Sequence, residues 1–282
     1  MSRWYNSAPG WLTSVSVNFS DVGGSHLGAS YYGIRQGDDP VVWDRITGNL
    51  SVDTFNELWP VSWNLLPNGQ STIDVRVSDN AGNSRNMSEI LVIRKDVIVP
   101  TYSVLFNPNE DRFVNTWYNA EPEWLSAISI HFEDFGSSNL HSIYYTVTNV
   151  SGSTQYPLLR NDPLQAYPWD WAVSWSVLAN GTNDIGVIVS DNAGNRVDSG
   201  RIFVVKKDDQ LPAFLVLPAL LTKNWTNTVP NWFSEMTIGF VDQDLSGLDQ
   251  VGYTLLYTDY PLSVHDVVIS TNIRATTFNL SW

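Results

Sequence analysis

Aspartates recur at positions where they could hold a metal ion. Asp21, Asp134 and Asp242 follow the same apolar stretch in three copies of a repeat. Asp79 and Asp191 sit in the identical segments Ser78–Asn83 and Ser190–Asn195, and Asp96 and Asp208 each follow a lysine near the end of a copy. Calcium takes roughly six to eight oxygens from carboxylates, amides and carbonyls. Loops at a joint between units can supply them if Asp79, Asn80 and Asp96 fold toward the next unit. Asp21, Asp79, Asp96, Asp134, Asp191 and Asp208 are therefore the candidate calcium ligands. A plainer chemistry fits the same residues. Asp and Asn bond their own backbone in turns, and the Asn-Ala-Gly portion supplies the positive-φ residue that a hairpin needs. No segment has the D-x-D-x-D-G spacing of an EF-hand, and the sequence alone leaves both readings open.

Tryptophan offers a second chemistry, with 13 in the chain. Trp4, Trp11, Trp59 and Trp63 could stack on sugar rings, yet they recur in the repeated framework, where a large aromatic usually packs a core. The unrepeated Trp43, Tyr156, Tyr167 and Trp169 fall in a variable stretch that reads as a loop. They are the better candidates for ligand contact. Catalytic signatures are missing. His26, His131, His141 and His265 are scattered without metal spacing. No G-x-S-x-G, phosphate loop or nucleophile constellation occurs, so the sequence points to a non-enzyme with no catalytic or cofactor-binding residues.

These side chains are carried by a repeat of domain length. Trp4 recurs as Trp117 and Trp225, and Asp79 as Asp191, in steps of 113, 108 and 112 residues. Solenoid periods are about 20 to 50 residues, so each copy is a whole domain: 1–98 without a first strand, 99–210, and 211–282 stopping before its last strands. A repeat cut this way reads as a window on a longer protein. Val15, Val17 and Phe19 match Ile128, Ile130 and Phe132, and Ile73, Val75 and Val77 match Ile185, Val187 and Val189. Alternation of this kind predicts half-buried strands. Turns at Gly23-Gly24, Asn68-Gly69 and Asn80-Ala81-Gly82 join them, while Val52–Leu58 reads as one turn of helix. The expected fold is all-β, tandem Ig-like sandwiches.

Composition narrows the partners. The net charge is −14 and the pI about 4.4, which argues against nucleic acid and anionic lipid. The most apolar run, Leu211–Leu221, is short and broken by Pro212 and Pro218, so no transmembrane segment is expected. Met1-Ser2-Arg3-Trp4 lacks the apolar core of a signal peptide. Cysteine is absent, so each unit must stand on its core alone. Asn-x-Ser/Thr acceptors at Asn18, Asn49, Asn86, Asn149, Asn180, Asn224 and Asn279 are compatible with glycosylation.

Val61–Asn83 and Val173–Asn195 both read W-x-x-L-x-N-G-x-x-x-I-x-V-x-V-S-D-N-A-G-N. That pattern resembles the C-terminal half of bacterial Ig-like repeats of secreted and surface proteins. Phe132–Leu140 is similar to their D-x-G-S-G loop, and Lys-Asp…Pro to their joints. The stretch from Tyr145 to Trp171 is longer than is usual for them. The resemblance implies an extracellular or cell-surface location and a spacer or adhesive stalk, with neighbouring repeats as partners and a surface protein or glycan as ligand. The alternative it implies is an accessory carbohydrate-binding segment of a secreted glycan-active enzyme.

Overall fold

A computed structural model describes residues 3–39, 41–106, 110, 115–167, 170–216, 228, 237–242, 246–257, 263–275 and 277–281. The described residues are built of strands and short 3-10 turns. The first unit contains β1 (Trp4–Tyr5), β2 (Phe19–Ser20), β3 (Leu27–Arg35), β4 (Val42–Val52), β5 (Thr54–Phe55), β6 (Gly69–Asp79) and β7 (Ser84–Lys95). The second contains β8 (Thr101–Val104), β9 (Trp117–Tyr118), β10 (Ile128–Glu133), β11 (Leu140–Asn149), β12 (Gly152–Leu164), β13 (Ala166–Tyr167), β14 (Asp170–Trp171), β15 (Gly181–Asp191), β16 (Arg196–Asp198) and β17 (Phe203–Lys207). Beyond them lie β18 (Ala213–Val216), β19 (Thr237–Val241), β20 (Leu248–Tyr257), β21 (Ser263–Ala275) and β22 (Thr277–Ser281).

One topology is used twice. The larger sheet runs β1-β7-β6-β3-β4 in the first unit and β9-β17-β15-β11-β12 in the second. Opposite it, β2 pairs β5, and β10 pairs β8, β13 and β14. Each pair of sheets encloses its own core. Leu12, Phe19, Tyr32, Trp59, Ile73 and Ile93 belong to one cluster, and Leu125, Phe132, Tyr145, Trp171, Ile185 and Phe203 to the other. The chain is thus a tandem of Ig-like β-sandwiches. Along β10 the burial alternates strictly, with Ile128, Ile130 and Phe132 buried, as period-two patterning demands. In β19 and β20 the matching Ile238, Phe240 and Tyr253 are only half buried.

Two local expectations are overturned. Val52–Leu58 holds no helical turn, because Thr54 and Phe55 pair with β2 and the Phe55 ring stacks on Phe19. The long stretch between Tyr145 and Trp171 is not a loop either. It forms β12, the edge strand of the large sheet, and its counterpart is β4.

The repeated tryptophans divide by depth. Trp59 and Trp171 are buried, and each stacks on a core tyrosine, Tyr32 at 5.4 Å and Tyr145 at 5.5 Å. Trp63 and Trp175 are half buried, in 3-10 turns beneath Lys95 and Lys207, whose Nζ atoms lie 4.8 Å from the ring centroids. Trp11 is 43% exposed, so it is not the core residue its recurrence suggests. It packs edge-on against Tyr5 instead. Truncating a buried aromatic removes its contacts and leaves a cavity. Trp171→Ala is expected to cost about 3–5 kcal/mol, and Trp11→Ala well under about 1 kcal/mol. Urea unfolding of the full chain followed by tryptophan fluorescence checks the contrast.

Candidate metal centre at the joint between the first two units

Strand β7 ends on Lys95, which is drawn over Trp63 while its ammonium donates to the carbonyls of Trp63 (3.1 Å) and Leu66 (2.7 Å). The next residue, Asp96, donates its amide to the Tyr5 carbonyl at 2.9 Å, so its side chain leaves the first unit at a fixed point. There it meets Asp134, just past β10, and Asp191, at the end of β15. One oxygen of each of the three carboxylates lies within 4.8 Å of the others. Asp96 and Asp134 are fully buried and Asp191 is 2% exposed.

Backbone amides hold most of the oxygens. Asp96 Oδ1 accepts from Ile98 N, and Oδ2 from Ser138 N of the second unit at 2.8 Å. Asp134 Oδ1 accepts from Gly136 N at 2.8 Å. Asp191 Oδ1 accepts from Ala193 N and Asn195 N, and Oδ2 from Asn195 Nδ2 at 2.7 Å. Asn195 Nδ2 also donates to the Asp96 carbonyl (2.9 Å) and the Ile98 carbonyl (3.1 Å), tying the hairpin of one unit to the tail of the other. Glycine is favoured at position 136, since a Cβ there would clash with the Asp96 carboxylate, which the Ile98 and Ser138 amides hold in place.

Asp134 Oδ2 is buried without a hydrogen-bond partner, and among the described residues no Lys, Arg or His forms an ion pair with any of the three carboxylates. An orphaned carboxylate oxygen beside two further carboxylates suits a hard cation that takes oxygen ligands. Burial pushes the Asp134 carboxyl up, opposed by the Gly136 amide and reinforced by Asp96 and Asp191. Burial likewise raises Asp191 against the hydrogen bonds of Asn195.

No family model and no curated protein matches the chain. Solved structures do. A tetra-tandem repeat from the extending region of a large adhesion protein is 16% identical, with TM-score 0.36, over 95% of this chain and 62% of that one. Fibronectin(III)-like modules of Clostridium thermocellum CbhA are 14% identical, with TM-score 0.26, over 73% of this chain and 90% of theirs. The FN1-FN3 domains of chicken CNTN1 are 9% identical, with TM-score 0.31, over 96% and 85%. These likenesses concern the fold. The chain spans less than two thirds of the adhesion repeat's length.

The other candidate ligands fall elsewhere. Asp79 does not join Asp96, because β6 and β7 are antiparallel and Gly69, not Asp79, faces Lys95. Asp79 lies at the far end of the strand, roughly 30 Å away. Asn80 turns its amide on the carbonyls of Ser25, Leu27 and Leu50 of its own unit. Asp21 and Asp79 are the first unit's counterparts of Asp134 and Asp191, and hydrogen bonding from Asn83 depresses the Asp79 pKa. Asp208 repeats Asp96: it is buried, its amide on the Tyr118 carbonyl at 2.9 Å. Asp242, in the position of Asp134, is buried and accepts from Gly247 N and Ser246 Oγ. Among the aromatics, Trp43 is half buried on the edge strand β4, Tyr156 stacks on Tyr145 at 4.9 Å, and Tyr167 packs toward Phe132. Tyr156 and Tyr167 therefore lean on the core rather than project from a loop. Trp169 lies outside the described residues. Sequence reasoning missed Gly136, Ser138 and Asn195, although all three occupy positions repeated in the first unit as Gly23, Ser25 and Asn83.

The raised carboxyls fix a sign. Between its unfolded and folded pKa values, the folded chain binds more protons at Asp134 and Asp191 than the unfolded chain does. Their contribution to stability is therefore present on the acid side and is lost as pH rises through the folded values. In EDTA, acidification from neutral pH toward about pH 5 should raise the melting temperature of the wild type relative to Asp134→Asn. Parallel curves for the two proteins would contradict this.

Proposed function

We propose that the chain is a non-catalytic, extracellular or cell-surface array of Ig-like units, bounded at 1–98, 99–210 and 211–282, that serves as a spacer or adhesive stalk. In this reading calcium clasps its joints. The observation that carries it is the buried meeting of Asp96 with Asp134 and Asp191, carboxylates from two successive units with an orphaned oxygen and no cationic side chain among the described residues. A divalent ion there neutralises the repulsion and stiffens a joint already tied by Ser138 and Asn195. Asn195 and the Asp191 hairpin then act as a gripping element rather than as a catalytic one. No helix among the described residues is long and apolar enough to cross a membrane.

Extracellular modules bind calcium with Kd near about 10⁻⁴ to 10⁻³ M, so millimolar calcium should add only about 0.4–1.4 kcal/mol per site by mass action. For units of this size that is a shift of a few degrees. Calorimetry of the full chain should show this rise between EDTA and millimolar calcium, and Asp96→Asn should abolish it. An unshifted wild type, or an equal shift in the variant, would leave these carboxylates with joint-packing and turn roles alone.

A further inference from the structure

The joint displays a recognition event in full. The tail that leaves β7, Lys95-Asp96-Val97-Ile98, is held by the second unit through three side-chain and backbone elements. Ser138 N grips the Asp96 carboxylate, Asn195 Nδ2 grips the carbonyls of Asp96 and Ile98, and the Asp134–Asp191 pair faces the Asp96 side chain. Asp134 and Gly136 shape the first loop; Asp191 and Asn195 shape the second.

The first unit carries the same set at its own far end. Asp21, Gly23 and Ser25 repeat Asp134, Gly136 and Ser138, and Asp79 to Asn83 repeat Asp191 to Asn195 residue for residue. The geometry repeats as well. Gly23 N donates to Asp21 Oδ1 at 2.8 Å, as Gly136 N does to Asp134. Asn83 donates to Asp79 from both its backbone N and its Nδ2 at 2.7 Å, as Asn195 does to Asp191. Asn80 N bonds the His26 carbonyl at 3.0 Å, as Asn192 N bonds that of Asn139, and both of those carbonyl-bearing residues have positive φ, 61° and 64°.

Two things differ: Asp21 Oδ2 accepts from Ser25 Oγ at 3.1 Å where Asp134 Oδ2 has no partner, and the cover is not the same. Asp134, Asp191 and Asn195 are buried under the tail, whereas Asn83 is exposed and Asp21 and Asp79 are partly open to solvent. Beside the first of these loops lies a shallow depression of about 350 Å³ lined by Asp21, Val22, Gly24, His26 and Asp53, and the Asp79–Asn83 loop does not line it. The preformed loops thus face solvent with the hydrogen-bonding set that, one unit later, closes on a Lys-Asp-x-x segment.

We propose that the Asp21–Ser25 and Asp79–Asn83 loops form a receptor for the C-terminal strand end of another unit of this kind, recognised as a Lys-Asp-x-x tail. Asn83 takes the two tail carbonyls and Ser25 N takes the tail carboxylate. Because the tail brings a third carboxylate to two others, the cation bridge rests on the function proposed above. The hydrogen-bonded grip does not.

The test titrates the full chain with the peptide Ile-Arg-Lys-Asp-Val-Ile-Val-Pro, the sequence of residues 93–100, in millimolar calcium and in EDTA, followed by amide NMR shifts. Saturable shifts are expected at Gly23, Ser25 and Asn83, with Gly136, Ser138 and Asn195 silent because their tail is already in place. Asn83→Ala should weaken binding by about five- to tenfold, the loss expected for an amide that holds two carbonyls. Absence of saturable shifts at millimolar peptide in both buffers, or equal binding by Asn83→Ala, overturns the receptor. Binding that is equal in calcium and EDTA upholds the receptor and counts against the cation bridge. Binding confined to calcium upholds both.

Discussion

A lysine laid over a tryptophan, half buried at Lys95 and buried at Lys207, fixes where each unit ends. Lys95 and Lys207 lay their ammonium groups over Trp63 and Trp175 and donate to the carbonyls that close the 3-10 turns. Cation–π attraction and charge-assisted hydrogen bonds act on the same atom, in a site with little water to compete. Desolvation lowers the Lys95 pKa, so the carbonyls and the ring must offset the cost of burying it. The clamp ties the last strand to the corner of the Trp turn. It therefore sets the direction in which the following aspartate leaves the sandwich, and every contact at the joint depends on that direction.

The carboxylates illustrate why like charges can be gathered in a protein at all. Each of the three accepts backbone amide bonds from its own loop, which partly replaces hydration. Among the described residues no cationic side chain pairs with them, and the Asn195 amide is the one side chain that donates to them, at Asp191. Such an arrangement couples the packing of two units to the charge state of a few oxygens. The glycine at 136 keeps space for Asp96 to approach the second unit that closely.

Several inner strands and their buried faces were legible because alternation at Val15–Phe19, Ile128–Phe132 and Ile73–Val77 repeats at domain spacing, and a two-residue period dictates which face is buried. The edge strands β4 and β12 were not legible. Val42–Val52 and Gly152–Leu164 differ between copies, and an edge strand with one exposed side carries a weak apolar signal. The carboxylates at Asp96, Asp134 and Asp191 could be named from recurrence, but not their grouping. Asp79 and Asp96 lie 17 residues apart in sequence and at opposite ends of a sheet, whereas Asp96 and Asp191 lie far apart in sequence and meet. Only the antiparallel course of β6 and β7 separates those cases. Trp11 and Trp63 show the converse: recurrence marked them as framework without revealing how deep they sit.

In each unit a two-residue strand runs parallel to the last strand. β1 lies beside the end of β7, with Trp4 opposite Arg94 and Tyr5 opposite Lys95, and β9 lies beside β17 in the same register. Tension along a string of such units would reach β9 by way of β8, which pairs with β10, and would leave through β17. Strands paired this way are drawn past each other along their length, so their cross-strand bonds, including those from Asp96 N and Asp208 N to Tyr5 and Tyr118, are loaded in shear together. An antiparallel terminal pair would instead be peeled open one bond at a time. The terminal pairing thus gives each sandwich a mechanical lock.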